Sequence, residues 1–103
     1  MNLLVDIGNT SIKFSSFVDK NLKKISQIRY SKKDLKSVTL FFKNKLKTHN
    51  KIYICSVVSE VDKVIIKNLK SHRNRLFFIN KMKLSSLVHK TVNVRCLLYT
   101  SDA

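Results

Sequence analysis

The chain carries an acid, its only glycine, an amide and a hydroxyl in the string D-I-G-N-T at residues 6–10, with a lysine at position 13. These residue types at this spacing suit phosphate chemistry. Gly8 lets backbone N–H groups approach an oxyanion closely, and Asn9 and Thr10 supply side-chain donors. Lys13 can reach a phosphate as a point charge. Asp6 is then placed to engage a hydrated Mg²⁺, an ion that is held by few carboxylates and keeps much of its water. The string is not a Walker A loop, because G-x-x-x-x-G-K-[ST] is absent and strand-like sequence follows the turn. A plain hairpin turn, with Asp6 and Asn9 satisfying nearby N–H groups, accounts for the same residues. The elements around the turn have to decide between the two.

Residues 3–7 are apolar apart from Asp6, the pattern of a central strand buried on both faces. Gly8 and Asn9 tolerate positive φ, which predicts a tight turn. SIKFSSFV, residues 11–18, alternates, with Ile12, Phe14 and Val18 on one face and Ser11, Lys13, Ser15 and Phe17 on the other. It predicts a second strand, hairpin-linked to the first. After a turn at 19–21, residues 22–30 predict a third strand whose apolar members are Leu22, Ile25, Ile28 and Tyr30.

The period then changes. Ser31 with Asp34 three residues on makes a near capping box, and Leu35, Val38, Phe42 and Leu46 recur at helical spacing. A helix over 32–47 is predicted. KIYICSVV, from Lys51, predicts a buried strand. Ser59 then caps a second helix, with Asp62 as its N3 acid and Val61, Ile65 and Leu69 on its core face. RLFFI predicts a fifth strand, and beyond Asn80 the pattern leaves loop, short helix and strand open. The fold class expected is α/β: a five-stranded mixed sheet with two main helices, a three-strand antiparallel meander, and the strand from Ile52 parallel beside the first. Ligands of open α/β sheets gather at the carboxyl ends of such strands, here Asp6-Ile7-Gly8.

Composition bounds the partners. The formal net charge is +15, with lysine outnumbering arginine 17 to 4 and proline absent. Such a charge favours anions and nucleic acid. The lysines, however, are spread along the chain, without the arginine forks and exposed aromatics a nucleic-acid reader usually adds. An AT-rich coding bias accounts for the same excess. Cys55 and Cys96 form no framework, and His49, His72 and His89 have no zinc-ligand spacing, so a reducing compartment and no bound zinc are expected. No apolar run approaches a membrane span and the start lacks the form of a signal peptide, so a soluble, cytoplasmic protein is expected.

LLVDIGNTSIKFSSF resembles the opening of the type III pantothenate kinases, whose first phosphate motif reads D-I-G-N-T followed by a lysine at this spacing. ICSVVSEVDKVI resembles their second landmark, a strand ending in S-V-V before a helix. The interval between the landmarks also matches, and the resemblance covers residues 1–90. Other actin-like kinases usually carry a second glycine or a serine where Asn9 stands. Ser59 stands where the family often has proline.

The resemblance implies a ribonuclease-H-like, actin-like ATPase fold, with residues 1–95 as the amino-terminal of two halves that hold ATP between them. It implies ATP-dependent phosphorylation of pantothenate, the first step of coenzyme A synthesis, with Mg²⁺ and a monovalent cation (K⁺ or NH₄⁺) as cofactors and a homodimer as the assembly. The ATP-binding segment it implies is Asp6, Ile7, Gly8, Asn9, Thr10, Ser11, Ile12 and Lys13, with Asp6 toward the metal.

The family's G-A-D-R segment, which supplies the catalytic aspartate, is expected shortly after residue 95 and does not occur. Asp102 is the only late acid and lacks that setting, so no catalytic residue is assigned and the chain is expected to be incompetent in catalysis. Its last residues, CLLYTSDA, resemble the translation of a transposon-end sequencing adapter, which marks 96–103 as an expected non-native tail. Two other readings stand beside the kinase: a small basic nucleic-acid-binding module, and another actin-like phosphotransferase.

Overall fold

A computed structural model describes residues 1–19 and 21–79. Six strands and two α-helices follow in the order β1 (Asn2–Ile7), β2 (Ser11–Val18), β3 (Asn21–Leu22), β4 (Ser26–Arg29), α1 (Leu35–Leu46), β5 (Ile52–Ser56), α2 (Ser59–Asn68) and β6 (Leu76–Phe78), with a 3-10 turn at Lys70–Arg75 before β6. The strands form one mixed sheet of order β3-β2-β1-β5-β6, with β4 also pairing β2. β1 is central: it runs antiparallel to β2 and parallel to β5. β5 and β6 are parallel as well. The parallel neighbour of β1 is where the sequence places it, and both predicted helices are present, with different starts. Among the described residues no helix is long and apolar enough to cross a membrane.

Strand periodicity divides β1 between two layers. Leu3, Val5 and Ile7 turn to the helix side, where they meet Ile12, Ile52 and Ile54 from the sheet, Val38, Phe42 and Leu46 from α1, and Val61, Ile65 and Leu69 from α2 and its end. Burying each of the larger side chains contributes about 1.5–3 kcal/mol. Asn68 links the helices by donating to Thr39 Oγ1 at 3.4 Å. Leu4 turns to the opposite face and packs with Phe17, Leu22, Ile25, Tyr53 and Ile79. There the Tyr53 ring stacks on Phe77 at 5.2 Å.

Four local expectations change. The third strand divides in two, because the β2 pairing shifts by one residue between Phe17↔Leu22 and Phe14↔Ser26. The extra residue makes a bulge, held where Ser15 Oγ donates to the Lys23 carbonyl at 2.7 Å and Lys23 N–H donates to the Ser16 carbonyl at 2.8 Å. The first helix starts at Leu35 rather than Lys32. Ser31 instead closes a turn, its Oγ accepting from Lys33 N–H and its carbonyl from Asp34 N–H. The second helix takes Val58, not Ser59, as its N-cap. Ser56 Oγ accepts the Val58 N–H at 3.1 Å, so the hydroxyl that orders this entry comes from the strand end. Finally, Asp19 is the only described non-glycine residue with positive φ, and Gly8 is not in that region either. The Gly8–Asn9 turn therefore forms without a left-handed residue, and the glycine contributes its missing Cβ. The expectations for residues 80–95 and for the tail lie outside the described residues.

Candidate functional site

The β1–β2 hairpin builds the site. Ile7 pairs with Ile12, and one step further Gly8 N–H donates to the Ser11 carbonyl at 2.9 Å. That closes a two-residue tip, Asn9-Thr10, and both residues are exposed while Gly8 and Ser11 are buried. Among the described residues neither the Asn9 nor the Thr10 N–H donates a hydrogen bond.

The tip is gripped from two sides. Tyr30 OH donates to the Gly8 carbonyl at 2.5 Å, and Tyr30 N–H donates to the Thr10 carbonyl at 3.2 Å. Lys32 Nζ donates to Asn9 Oδ1 at 3.2 Å. From the β5 side, Val57 N–H donates to the Ile7 carbonyl at 3.2 Å, which brings the loop before α2 against the base of the turn. Glu60 and Asp62, in the first turn of α2, bear on the same place. Burial raises the Tyr30 pKa, and the two carboxylates raise it further. Burial also raises the Asp62 pKa, with the nearby Ser56 hydroxyl opposing the shift.

Asp6 is 3 % exposed. It stands directly opposite Lys13 on β2 and opposite Cys55 on β5. Residues opposed in an antiparallel ladder hold their Cβ atoms about 4.5–5.5 Å apart, so the carboxylate and the ammonium stem share one face of the sheet. Lys13 is half-buried. The structure thus brings Asp6, Gly8, Asn9, Thr10 and Lys13 to one end of the hairpin. Ile7 and Ile12 are fully buried on the helix side, and what either offers a ligand is backbone alone. Ser11 is buried, with its carbonyl engaged by Gly8.

Tyr30, Lys32, Ser56 and Asp62 are part of this neighbourhood, and none of them is a site candidate on sequence alone. Tyr30 passed as an apolar strand residue because its ring fits the alternation, and its hydroxyl carried no spacing signal. Lys32 was absorbed into the predicted helix.

The family model for type III pantothenate kinase matches residues 2–96. The chain belongs to the type III pantothenate kinase family. A comparison with curated proteins returns no match.

Among the described residues no group of three or more His, Cys, Asp or Glu is arranged to hold a metal ion. Those residues alone build no protein cage for a divalent ion. One carboxylate beside a phosphate-suited turn is the donor set of a Mg²⁺ ion that keeps its water shell and takes its other ligands from phosphate, and Asp6 fits that description.

Proposed function

We propose that the hairpin end is the ATP-phosphate wall of a pantothenate kinase, set in the first ribonuclease-H-like half of an actin-like ATPase fold. Family membership supports ATP and pantothenate as the substrates. The observation that carries the residue assignment is the pairing of buried Asp6 with Lys13 three positions below a tip whose two N–H groups are unengaged among the described residues.

In this reading the Asn9 and Thr10 N–H groups and the Asn9 and Thr10 side chains bind phosphate oxygens. Lys13 neutralises part of their charge. Asp6 orients the hydrated Mg²⁺, which when bound offsets charge on the transferring phosphoryl group. Such transfer asks the protein for position and charge rather than covalent chemistry. A monovalent cation, a homodimer and a cytoplasmic setting belong to the same proposal through the resemblance. General base catalysis, worth about 10²- to 10⁴-fold, is assigned to no residue of this chain. Phosphorylation of pantothenate therefore requires sequence bearing the G-A-D-R segment.

The test has two arms. The 103-residue chain is titrated with ATP, with and without Mg²⁺, by calorimetry. Phosphoryl transfer to pantothenate is then assayed, with K⁺ present, for this chain and for one continued through the natural downstream reading frame. Mg²⁺-dependent ATP binding by the short chain, with turnover only in the longer one, is expected. Absence of ATP binding in both would overturn the reading. Turnover by the short chain would overturn the assignment of the missing base.

A further inference from the structure

Tyr30 reaches the turn twice, and the geometry of the peptide bond gives that double contact a consequence. A peptide unit is planar and trans, so its N–H points opposite to its C=O. The Gly8 carbonyl and the Asn9 N–H belong to one such unit. By accepting from Tyr30 OH at 2.5 Å, the Gly8 carbonyl is aimed at the ring, and the Asn9 N–H is aimed away from it. The Thr10 carbonyl, two units on, accepts from Tyr30 N–H at 3.2 Å. The Asn9–Thr10 peptide is therefore suspended between two planes that one residue fixes. Hydrogen bonding to a carbonyl also polarises its peptide unit and strengthens the attached N–H as a donor.

The same segment supplies a third contact, from Lys32 to the Asn9 side chain. Gly8, Asn9 and Thr10 are each engaged from residues 30–32. With no left-handed residue in the turn to fix its shape, this outside grip takes the place of a turn-specific backbone conformation. The Tyr30 ring is half-buried and packs against the helix-side core, so the hydroxyl is delivered from an anchored group rather than a mobile one.

We propose that Tyr30 is a positioning residue for phosphate binding, holding the tip so that the Asn9 and Thr10 N–H groups stand ready for a polyphosphate. The proposal rests on the nucleotide reading of the turn. It adds that affinity for the phosphates, and not for the nucleoside, is set partly by a side chain that never touches the ligand.

Tyr30→Phe keeps the ring and removes the hydroxyl. In the 103-residue chain, ATP, inorganic triphosphate and adenosine are titrated separately against wild type and variant, with melting temperature and amide hydrogen exchange measured alongside. The expected result is about a five-fold loss of ATP and triphosphate affinity, the size of one net hydrogen bond. Adenosine binding is unchanged, and exchange is faster at Asn9 and Thr10 but not at Ile54 or Ile65. Unchanged triphosphate affinity with unchanged exchange at the tip would overturn the proposal. So would a fall in melting temperature with intact affinity, which would make Tyr30 a structural residue only. Failure of the wild type to bind ATP would sink the nucleotide reading instead. The exchange arm would then still decide whether Tyr30 holds the tip, since faster exchange confined to Asn9 and Thr10 supports that hold and uniform exchange refutes it.

Discussion

Asp6 and Lys13 face each other across the β1–β2 ladder, one acid and one base, three positions below the exposed tip at Asn9-Thr10. The pairing sets their relative position by backbone register rather than by side-chain reach. A carboxylate so held can orient a hydrated cation while its neighbour balances the charge.

Asp6→Asn removes the charge and keeps the volume. The expected outcome is an intact far-UV circular dichroism spectrum and loss of at least about ten-fold of the Mg²⁺-dependent part of ATP affinity, since one unit of binding-constant exponent is about 1.4 kcal/mol. Mg²⁺-free binding of ATP should change little or improve, because a buried negative charge near phosphate has gone. Equal Mg²⁺ dependence in variant and wild type would refute the metal-facing role.

Lys13 and Lys32 should contribute through charge. Lys13→Ala and Lys32→Ala are each expected to weaken ATP binding by about three- to ten-fold at low ionic strength and to flatten its salt dependence, because partly exposed charges are screened. The double variant tests independence. A Lys32→Ala protein with wild-type affinity and salt slope would leave Lys32 as a partner of Asn9 alone.

Arg75 holds the end of α1 to the start of β6. Its guanidinium donates to the carbonyls of Leu46 and His49, each at 2.6 Å, and to Asn50 at 2.9 Å. These are orphan carbonyls of a helix end and the turn after it. Arg75→Met should cost about 2–3 kcal/mol, given that hydrogen bonds from a charged group are worth about 1.5–3 kcal/mol. Arg75→Lys should recover little, because an ammonium cannot span three acceptors as the planar fork does. Chemical denaturation reads both.

His49 predicts a pH dependence of stability. Its Nε2 lies 2.8 Å from Ser16 Oγ, and its Nδ1 lies 2.9 Å from Thr48 Oγ1 and 3.1 Å from the Lys45 carbonyl. Burial lowers its pKa, opposed by the Lys45 carbonyl and aided by the charges of Lys45 and the amino terminus. The unfolded chain, with an ordinary histidine near 6.5, then binds a proton before the folded one does. Stability is fully present above about pH 6.5 and is lost as pH falls toward the lowered folded value. Melting temperature should therefore drop between pH 7 and pH 5, and His49→Gln should reduce the drop. Matching pH profiles for the two proteins would refute the link.

The sheet was legible because its signals are periodic. Unbroken apolar runs at β1 and β5 predicted two buried neighbours, and the 3.6-residue spacing of Val38, Phe42 and Leu46 predicted the face α1 buries. The cluster of Asp6, Gly8, Asn9, Thr10 and Lys13 was legible because those types are close in sequence. What escaped is tertiary. The bulge at residues 23–25 depends on Ser15 meeting a carbonyl eight residues away, and nothing in the alternation of β4 announces it. Ser31 and Ser59 look like helix caps locally, yet the chain uses Ser31 for a turn and orders the second helix from Ser56. The grip of Tyr30 on Gly8 spans 22 residues, and a tyrosine in a strand pattern carries no mark of where its hydroxyl goes.

The register of β1 also bears on the order in which the parts come together. Its pairing with β2 closes over a two-residue tip, whereas its pairing with β5 joins Leu3 to Ile52. Loop-closure entropy rises with the length of chain enclosed, and pairings of low sequence separation form fastest. The hairpin can therefore assemble while α1 is still being searched for, and β5 with α2 docks onto an existing template. A nascent chain emerging from a ribosome would possess its β1–β2 turn early. It would gain the Val57 and α2 side of that turn only once residues 52–68 had cleared the exit, so local order at the tip precedes, and does not report, completion of the fold.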